Sequence, residues 1–206
     1  MKQDFINFPL QVIFKPFDSF WDLKYDNKGK LNVVYLLVIL TIMAIILQKK
    51  YAGFLVNYSD PRQLNSVMDI VTVIFPFLLW CIANWSITTL MGGEGKFIEI
   101  VKATGYSLTP IILIYLPMTF ISRFMAEEEI AFYYLLISIA SLWFIWLLFI
   151  GIMTVHQYTV LKTIVTIGLT IVVMGIIVFL GALVLSMIQQ IYEFIYNVYR
   201  EILFRT

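Results

Sequence analysis

Apolar residues run in five long blocks separated by short polar stretches. The blocks cover residues 31–48, 70–91, 103–122, 130–152 and 163–188, and none contains a charged residue. An uncharged apolar run of about 18 residues or more matches a hydrocarbon core about 30 Å thick. In lipid the backbone must satisfy its own hydrogen bonds, so each block predicts a helix. The expected fold is all-α: a polytopic membrane helical bundle of five transmembrane helices, with interfacial helices beside it.

The polar stretches fix the organisation. Residues 1–30 form an amino-terminal interfacial segment. In it Phe5, Phe8, Val12, Ile13, Phe17, Phe20 and Trp21 recur at helical spacing, interrupted by Pro9 and Pro16. Two readings stay open: short helices lying in the membrane interface, or an irregular arm packed on the bundle. Residues 31–191 hold the five spans. A loop follows the first span, where Asn57, Ser59, Asp60 and Pro61 supply turn chemistry. Gly92-Gly93-Glu94-Gly95 leads into Lys96–Lys102, which alternates apolar and charged residues and predicts a short interfacial helix. Residues 192–206 form an amphipathic carboxy-terminal helical extension. Ile191, Ile195, Val198 and Ile202 make its apolar stripe, and Tyr192, Tyr196, Tyr199 and Leu203 an adjacent one.

Composition sharpens the picture. The chain is 61% hydrophobic and 13% charged, against about 25% charged in soluble domains. A net charge of +1 gives no reason to expect a nucleic-acid partner. The lone cysteine, Cys81, lies inside the second block and has no partner for an internal disulfide. The first block ends at Gln48-Lys49-Lys50 rather than at a small-residue cleavage site, so it reads as a retained span. Lysine and arginine favour the cytoplasmic side. The side holding residues 1–30 carries eight of them and the other side six. The expected placement is therefore the cell membrane, with the amino terminus cytoplasmic and the carboxyl terminus extracellular.

Few residues suggest chemistry. The Gly92–Gly95 run resembles the signature of cyclic-dinucleotide synthases, but those need a large soluble domain and this loop has none. It also lacks the lysine and hydroxyl of a phosphate-binding loop, so its expected role is a sharp turn. His156 stands alone; metal binding or catalysis needs further groups. It reads as an interfacial histidine within reach of Glu94 or Glu99. No metal, cofactor or catalytic residue is expected, and the chain is not expected to be an enzyme. The polar residues inside the spans carry more information. Asn84, beside Trp85, predicts an interhelical hydrogen bond. Its expected partner is the Gly105–Pro110 segment. In the third span Pro110 and Pro117 predict kinks on one face. The freed carbonyls of Tyr106 and Leu113 are expected to accept from nearby hydroxyls, Ser107 and Thr109 among them, or from a neighbouring helix. In the fifth span Gly168, Gly175 and Ala182 repeat every seven residues, a small face for packing within the bundle or against a partner's helix.

Gly105-Tyr106-Ser107-Leu108-Thr109-Pro110 resembles the Gly-Tyr-Ser-x-x-Pro start of the third span in the Yip family (Ypt-interacting proteins). The Asn84-Trp85 pair and the Gly-Glu-Gly turn are similar to its bacterial branch. The resemblance implies five spans and a cytoplasmic amino terminus. It implies no catalytic residues. Eukaryotic relatives bind small GTPases and act in vesicle traffic, and they carry a longer cytoplasmic amino-terminal region than the roughly 30 residues that precede the first span here. Some bacterial relatives look like companions of carbohydrate ABC importers. The resulting expectation is an accessory or scaffold subunit of a larger membrane complex, with the lipid bilayer and other membrane subunits as partners. Those subunits would be ABC importer permeases or their binding protein. The alternatives are a small stand-alone transporter or channel, or a membrane-trafficking-type adaptor. Ion coupling normally needs ionisable residues within the spans, and the five blocks have none.

Overall fold

A computed structural model describes residues 4–57 and 65–205 of the chain. These are helical, with no strand among the described residues. Five helical segments are long and apolar enough to cross a membrane. The expected loop turn at Ser59, Asp60 and Pro61 lies outside the described residues.

The amino-terminal segment forms two helices, α1 (Asp4–Phe14) and α2 (Pro16–Tyr25). Pro16 opens α2, where its fixed φ fits and its missing N–H is not needed. Both helices pack on the bundle rather than standing apart from it. Phe8, Val12 and Ile13 of α1 and Phe20 and Leu23 of α2 join the main core, while Phe17 and Trp21 face outward. The chain then turns through Asn27 and Gly29, both at positive φ. Lys28 ties the turn by pairing with Asp22 at 2.8 Å and Asp26 at 3.1 Å.

The first span is α3 (Leu31–Tyr51) and the second is α4 (Ser66–Leu90). Asn65 caps α4 by accepting the Val67 N–H at 3.0 Å. The second span therefore begins earlier than its uncharged block, and Asp69 falls inside the helix. It is buried, and Lys49 of α3 pairs with it. That end of the bundle is closed by Gln48 donating to the Tyr133 hydroxyl at 2.8 Å. The Gly53 N–H donates to Ser122 Oγ there at 2.9 Å.

The third span differs from expectation. Residues 97–102 do not form a separate interfacial helix. They begin α5 (Phe97–Ser107), and α6 (Thr109–Ile121) completes the crossing. The Glu99 carboxylate accepts the Lys96 N–H at 3.0 Å and starts α5 ahead of the apolar block. The break falls at Leu108, so Pro110 sits in the first turn of α6 rather than kinking a continuous helix. Thr109 Oγ1 donates to the Tyr106 carbonyl at 2.6 Å. After a single 3-10 turn at Glu127–Glu129 comes α7 (Ile130–His156). Gln157, at φ 54, ends it, and the Tyr158 N–H returns to the Met153 carbonyl at 3.0 Å.

The last helix, α8 (Val160–Arg205), has 46 residues. At about 1.5 Å per residue it is roughly 69 Å long, more than twice the hydrocarbon thickness. It runs unbroken past residue 191 and lies mainly against α4. From Phe179 onward the described side chains are all exposed.

Candidate functional site

The Gly105–Pro110 segment sits where α1, α3, α5 and α6 converge. Gly105 lets α3 come close: a Cβ there would overlap Cγ1 of Val34. At the next residue the Tyr106 side chain is fully buried. Its hydroxyl accepts the Lys30 N–H at 3.0 Å and donates to the Lys30 carbonyl at 3.3 Å. Its ring meets Phe8 of α1 edge-on, centroids 5.0 Å apart. Ser107, also buried, donates to the Ala103 carbonyl at 2.8 Å, and Pro110 is buried at the head of α6. This short segment therefore joins the amino-terminal arm, the start of the first span and the third span. Its tyrosine is out of reach of any outside partner.

Asn84 is buried, but it does not meet that segment. Its Nδ2 donates to Thr170 Oγ1 of α8 at 3.2 Å. The reason is helix order: α8, not α5 or α6, lies along the Asn84 face of α4. Thr163, Thr166 and Thr170 are all fully buried at i, i+3, i+7 spacing, forming a hydroxyl stripe on α8. Thr166 reaches the Met91 sulfur at 3.4 Å. This stripe escaped the sequence reading, although hydroxyls at helical spacing in an apolar run were its available signal. Trp85 points away, about half exposed, and meets Phe97 edge-on.

Polar groups gather at the α4–α5 connection. Gly92, at φ 65, makes the turn. The Gly95 N–H donates to His156 Nδ1 at 3.2 Å, which leaves the ring's proton on Nε2. His156, at the end of α7, is buried rather than open: it is 1% exposed and stacked on Tyr158. Burial pushes the Tyr158 phenol up. The glycines make this burial feasible. A Cβ on Gly93 would lie 2.6 Å from His156 Nδ1, and one on Gly95 would lie 2.6 Å from His156 Cε1. Neither expected glutamate serves the ring. Glu94 pairs with Lys24 of α2 at 2.8 Å, which holds its carboxyl below the usual range. Glu99 is taken by the Lys96 N–H. Lys162 rests over the Tyr158 ring, 4.2 Å from its centroid.

Gly168 and Gly175 face open space, with no atom within 4 Å of a built Cβ. Ala182, Tyr192, Tyr196 and Tyr199 are exposed. Tyr192 and Tyr196 stack on each other, and the Arg200 guanidinium lies 5.9 Å from the Tyr196 ring centre. Among the described residues no group of three His, Cys, Asp or Glu side chains is arranged to hold a metal.

No curated protein and no solved structure matches this chain. The family model for the Yip1 domain matches residues 10–183. The matched region takes in α2 through α7, the Gly-Tyr-Ser segment, the glycine turn over His156, and the part of α8 that packs on α4. With most of its length matched, the chain belongs to the Yip1-domain family of membrane proteins.

Proposed function

We propose that this protein is a non-enzymatic accessory or scaffold subunit of a larger membrane complex, with its amino terminus cytoplasmic and its carboxyl terminus outside the cell membrane. The observation that carries this reading is α8. Its first part packs on α4, and its remaining length presents apolar and aromatic side chains that no other described part of the chain covers. A helix roughly 69 Å long needs cover beyond the bilayer, and its Tyr192, Tyr196 and Tyr199 suit both protein contacts and the membrane interface. Most hydroxyls of the spans bond back to their own helix, and side chains that reach across, such as Asn84 to Thr170 and Gln48 to Tyr133, join helices, which favours a scaffold over a reaction centre.

A carbohydrate ABC importer is the complex we favour, through the likeness to bacterial relatives of that kind. The test is purification of the full chain in mild detergent, with mass spectrometry of what accompanies it. A stoichiometric importer permease or binding protein, lost on deleting residues 192–206 while membrane insertion persists, is the expected result. Undiminished recovery of the complex by the truncated chain overturns the docking role of α8. A partner-free chain that moves solute in liposomes replaces this reading with a stand-alone transporter.

A further inference from the structure

An open cleft of about 320 Å³ lies between α2 and the carboxyl-terminal end of α7. Ligand sites span roughly 300–1,000 Å³, so this one has room for a headgroup rather than for a whole lipid. Unlike the apolar grooves between the spans, it is lined by a charged group. That group is Asp18 of α2, with Phe17 before it and Trp21 one turn on. The Asp18 carboxylate has no ion pair or hydrogen bond among the described residues. Across the cleft are Gln157 and Tyr158, which directly follow α7. Gln157 Nε2 donates to the Thr154 carbonyl at 2.7 Å, so the amide nitrogen is engaged and Oε1 remains as an acceptor. The Lys162 ammonium rests on the Tyr158 ring, 4.2 Å from its centroid, and no carboxylate pairs with it among the described residues. An unpaired anion and an unpaired cation therefore border one cleft.

Depth and chemistry define what fits. The fourth span ends at His156, so the cleft sits where that span leaves the hydrocarbon. Phe17 and Trp21 are about half exposed there, and tryptophan favours the headgroup level. The complementary molecule carries one positive and one negative group and keeps an apolar remainder in the bilayer. Its cation must have hydrogens to give. A primary ammonium can donate to the Asp18 carboxylate and to Gln157 Oε1, with its charge against the faces of Phe17 and Trp21. A trimethylammonium has the charge for the rings but no hydrogen for the oxygens. Lysine is a point-charge donor to phosphate, which assigns the negative group to the Lys162 side.

We propose that this cleft binds the phosphoethanolamine headgroup of a membrane lipid, with the primary ammonium on Asp18 and the phosphate toward Lys162.

The test uses the full chain in nanodiscs of phosphatidylethanolamine and phosphatidylcholine in equal amounts. The discs are stripped with detergent, and the lipid still bound is counted by native mass spectrometry. Phosphatidylethanolamine should be retained in preference to phosphatidylcholine by about tenfold, the scale of one hydrogen bond to a charged group. Asp18→Asn should bring the ratio toward parity, and Asp18→Glu should keep it. Asp18 also lies in the first turn of α2, where negative charge favours the helix itself, but a ratio of two lipids is blind to that role. Lys162→Gln should lower retention of both lipids and leave the ratio unchanged, because both carry the phosphate. Soluble glycerophosphoethanolamine identifies the source. If it displaces the bound lipid, the headgroup alone is recognised; if it does not, the anchored lipid is the ligand. Equal retention of the two lipids by the wild-type chain overturns the proposal. So does a ratio unchanged in Asp18→Asn.

Discussion

The third and fifth spans are both apolar, yet they end in opposite surroundings. More than half of the third span's most apolar window is buried, and none of the fifth's is. The fifth is the more apolar of the two. In water that order would be reversed, because apolar surface seeks the core. In a bilayer the surroundings are as apolar as leucine, so hydropathy does not decide what lies inside. Small residues that admit a neighbour, and polar groups that need a partner, decide it. The third span has Thr104, Gly105, Ser107, Thr109 and Pro110, all buried. The fifth shows the same rule within one helix. Where it carries Thr163, Thr166 and Thr170 it packs on α4, and where it lacks inward hydroxyls it is bare.

Glycine gives the sharpest way to break this contrast, because the same residue type sits in both spans. Gly105→Val should be the most damaging change. Its side chain would enter the space of Val34, a β-branched residue with little freedom to move. Overpacking costs about 1–3 kcal/mol in ordinary cores, and this site has no room even for a Cβ, so a loss of about 3 kcal/mol or failure to fold is expected. Gly175→Val faces open space and should leave thermal unfolding in detergent unchanged. Equal destabilisation by the two would refute the contrast. Recovery of partners in the Gly175→Val protein then reports separately on docking by that face.

The next effect comes from the tyrosine that the third span buries. Tyr106→Phe keeps the ring against Phe8 and removes both hydrogen bonds to the Lys30 backbone. A cost of about 1–2 kcal/mol is expected, since the Lys30 N–H is left without that acceptor. Proteolysis near residues 25–30 should rise with it, because the hydroxyl anchors the turn between α2 and α3. Unchanged cleavage there would show that the turn is held by other contacts. The exposed counterparts, Tyr192→Phe and Tyr199→Phe, should not alter the stability of the isolated chain.

These contrasts also separate what the sequence could reveal from what it could not. The five spans were legible because block length and lack of charge are set by bilayer thickness. The importance of the Gly-Tyr-Ser segment was legible as well, since glycine and hydroxyls are conspicuous in an apolar helix. The partner of Asn84 was not. Periodicity assigns a face to each helix but does not say which helices are neighbours, and that order placed α8 rather than α5 beside it. Pro110, unlike Pro117 inside α6, was misread for a related reason. The same residue kinks a helix interior or opens a new helix, and the choice rests on the break at Leu108. The burial of His156 was not legible because it depends on clearance from Gly93 and Gly95, some sixty residues away.

Asn84 offers a smaller test on the border between the two spans' behaviours, since it is where the fifth span does pack. Asn84→Leu removes the bond to Thr170 and should lower stability in detergent by about 1 kcal/mol. Thr170→Val should cost a similar amount, and the double change less than the sum, because both remove one interaction. Full additivity would mean that the two side chains act independently and that α8 is held to α4 by shape alone.

The smallest effect concerns charge rather than packing, at the glycine turn that caps the bundle. Lys24 and Glu94 join α2 to the α4–α5 connection at 2.8 Å, with the glutamate largely in solvent. The lysine's hydrogen bond and charge hold the Glu94 carboxyl below its usual value of 4.5. A carboxyl depressed on folding binds protons less readily in the folded state. Its contribution is therefore complete above the ordinary value and is lost as pH falls through the lowered one. Wild-type protein should exceed Glu94→Gln in unfolding temperature by a small, constant margin at neutral pH. That margin should shrink below about pH 4.5 and narrow further at high salt, as expected of an exposed pair. A margin that persists unchanged to pH 3 would assign it to the shape of the side chain. The turn would then be held by Gly95 and His156, with the ion pair adding nothing.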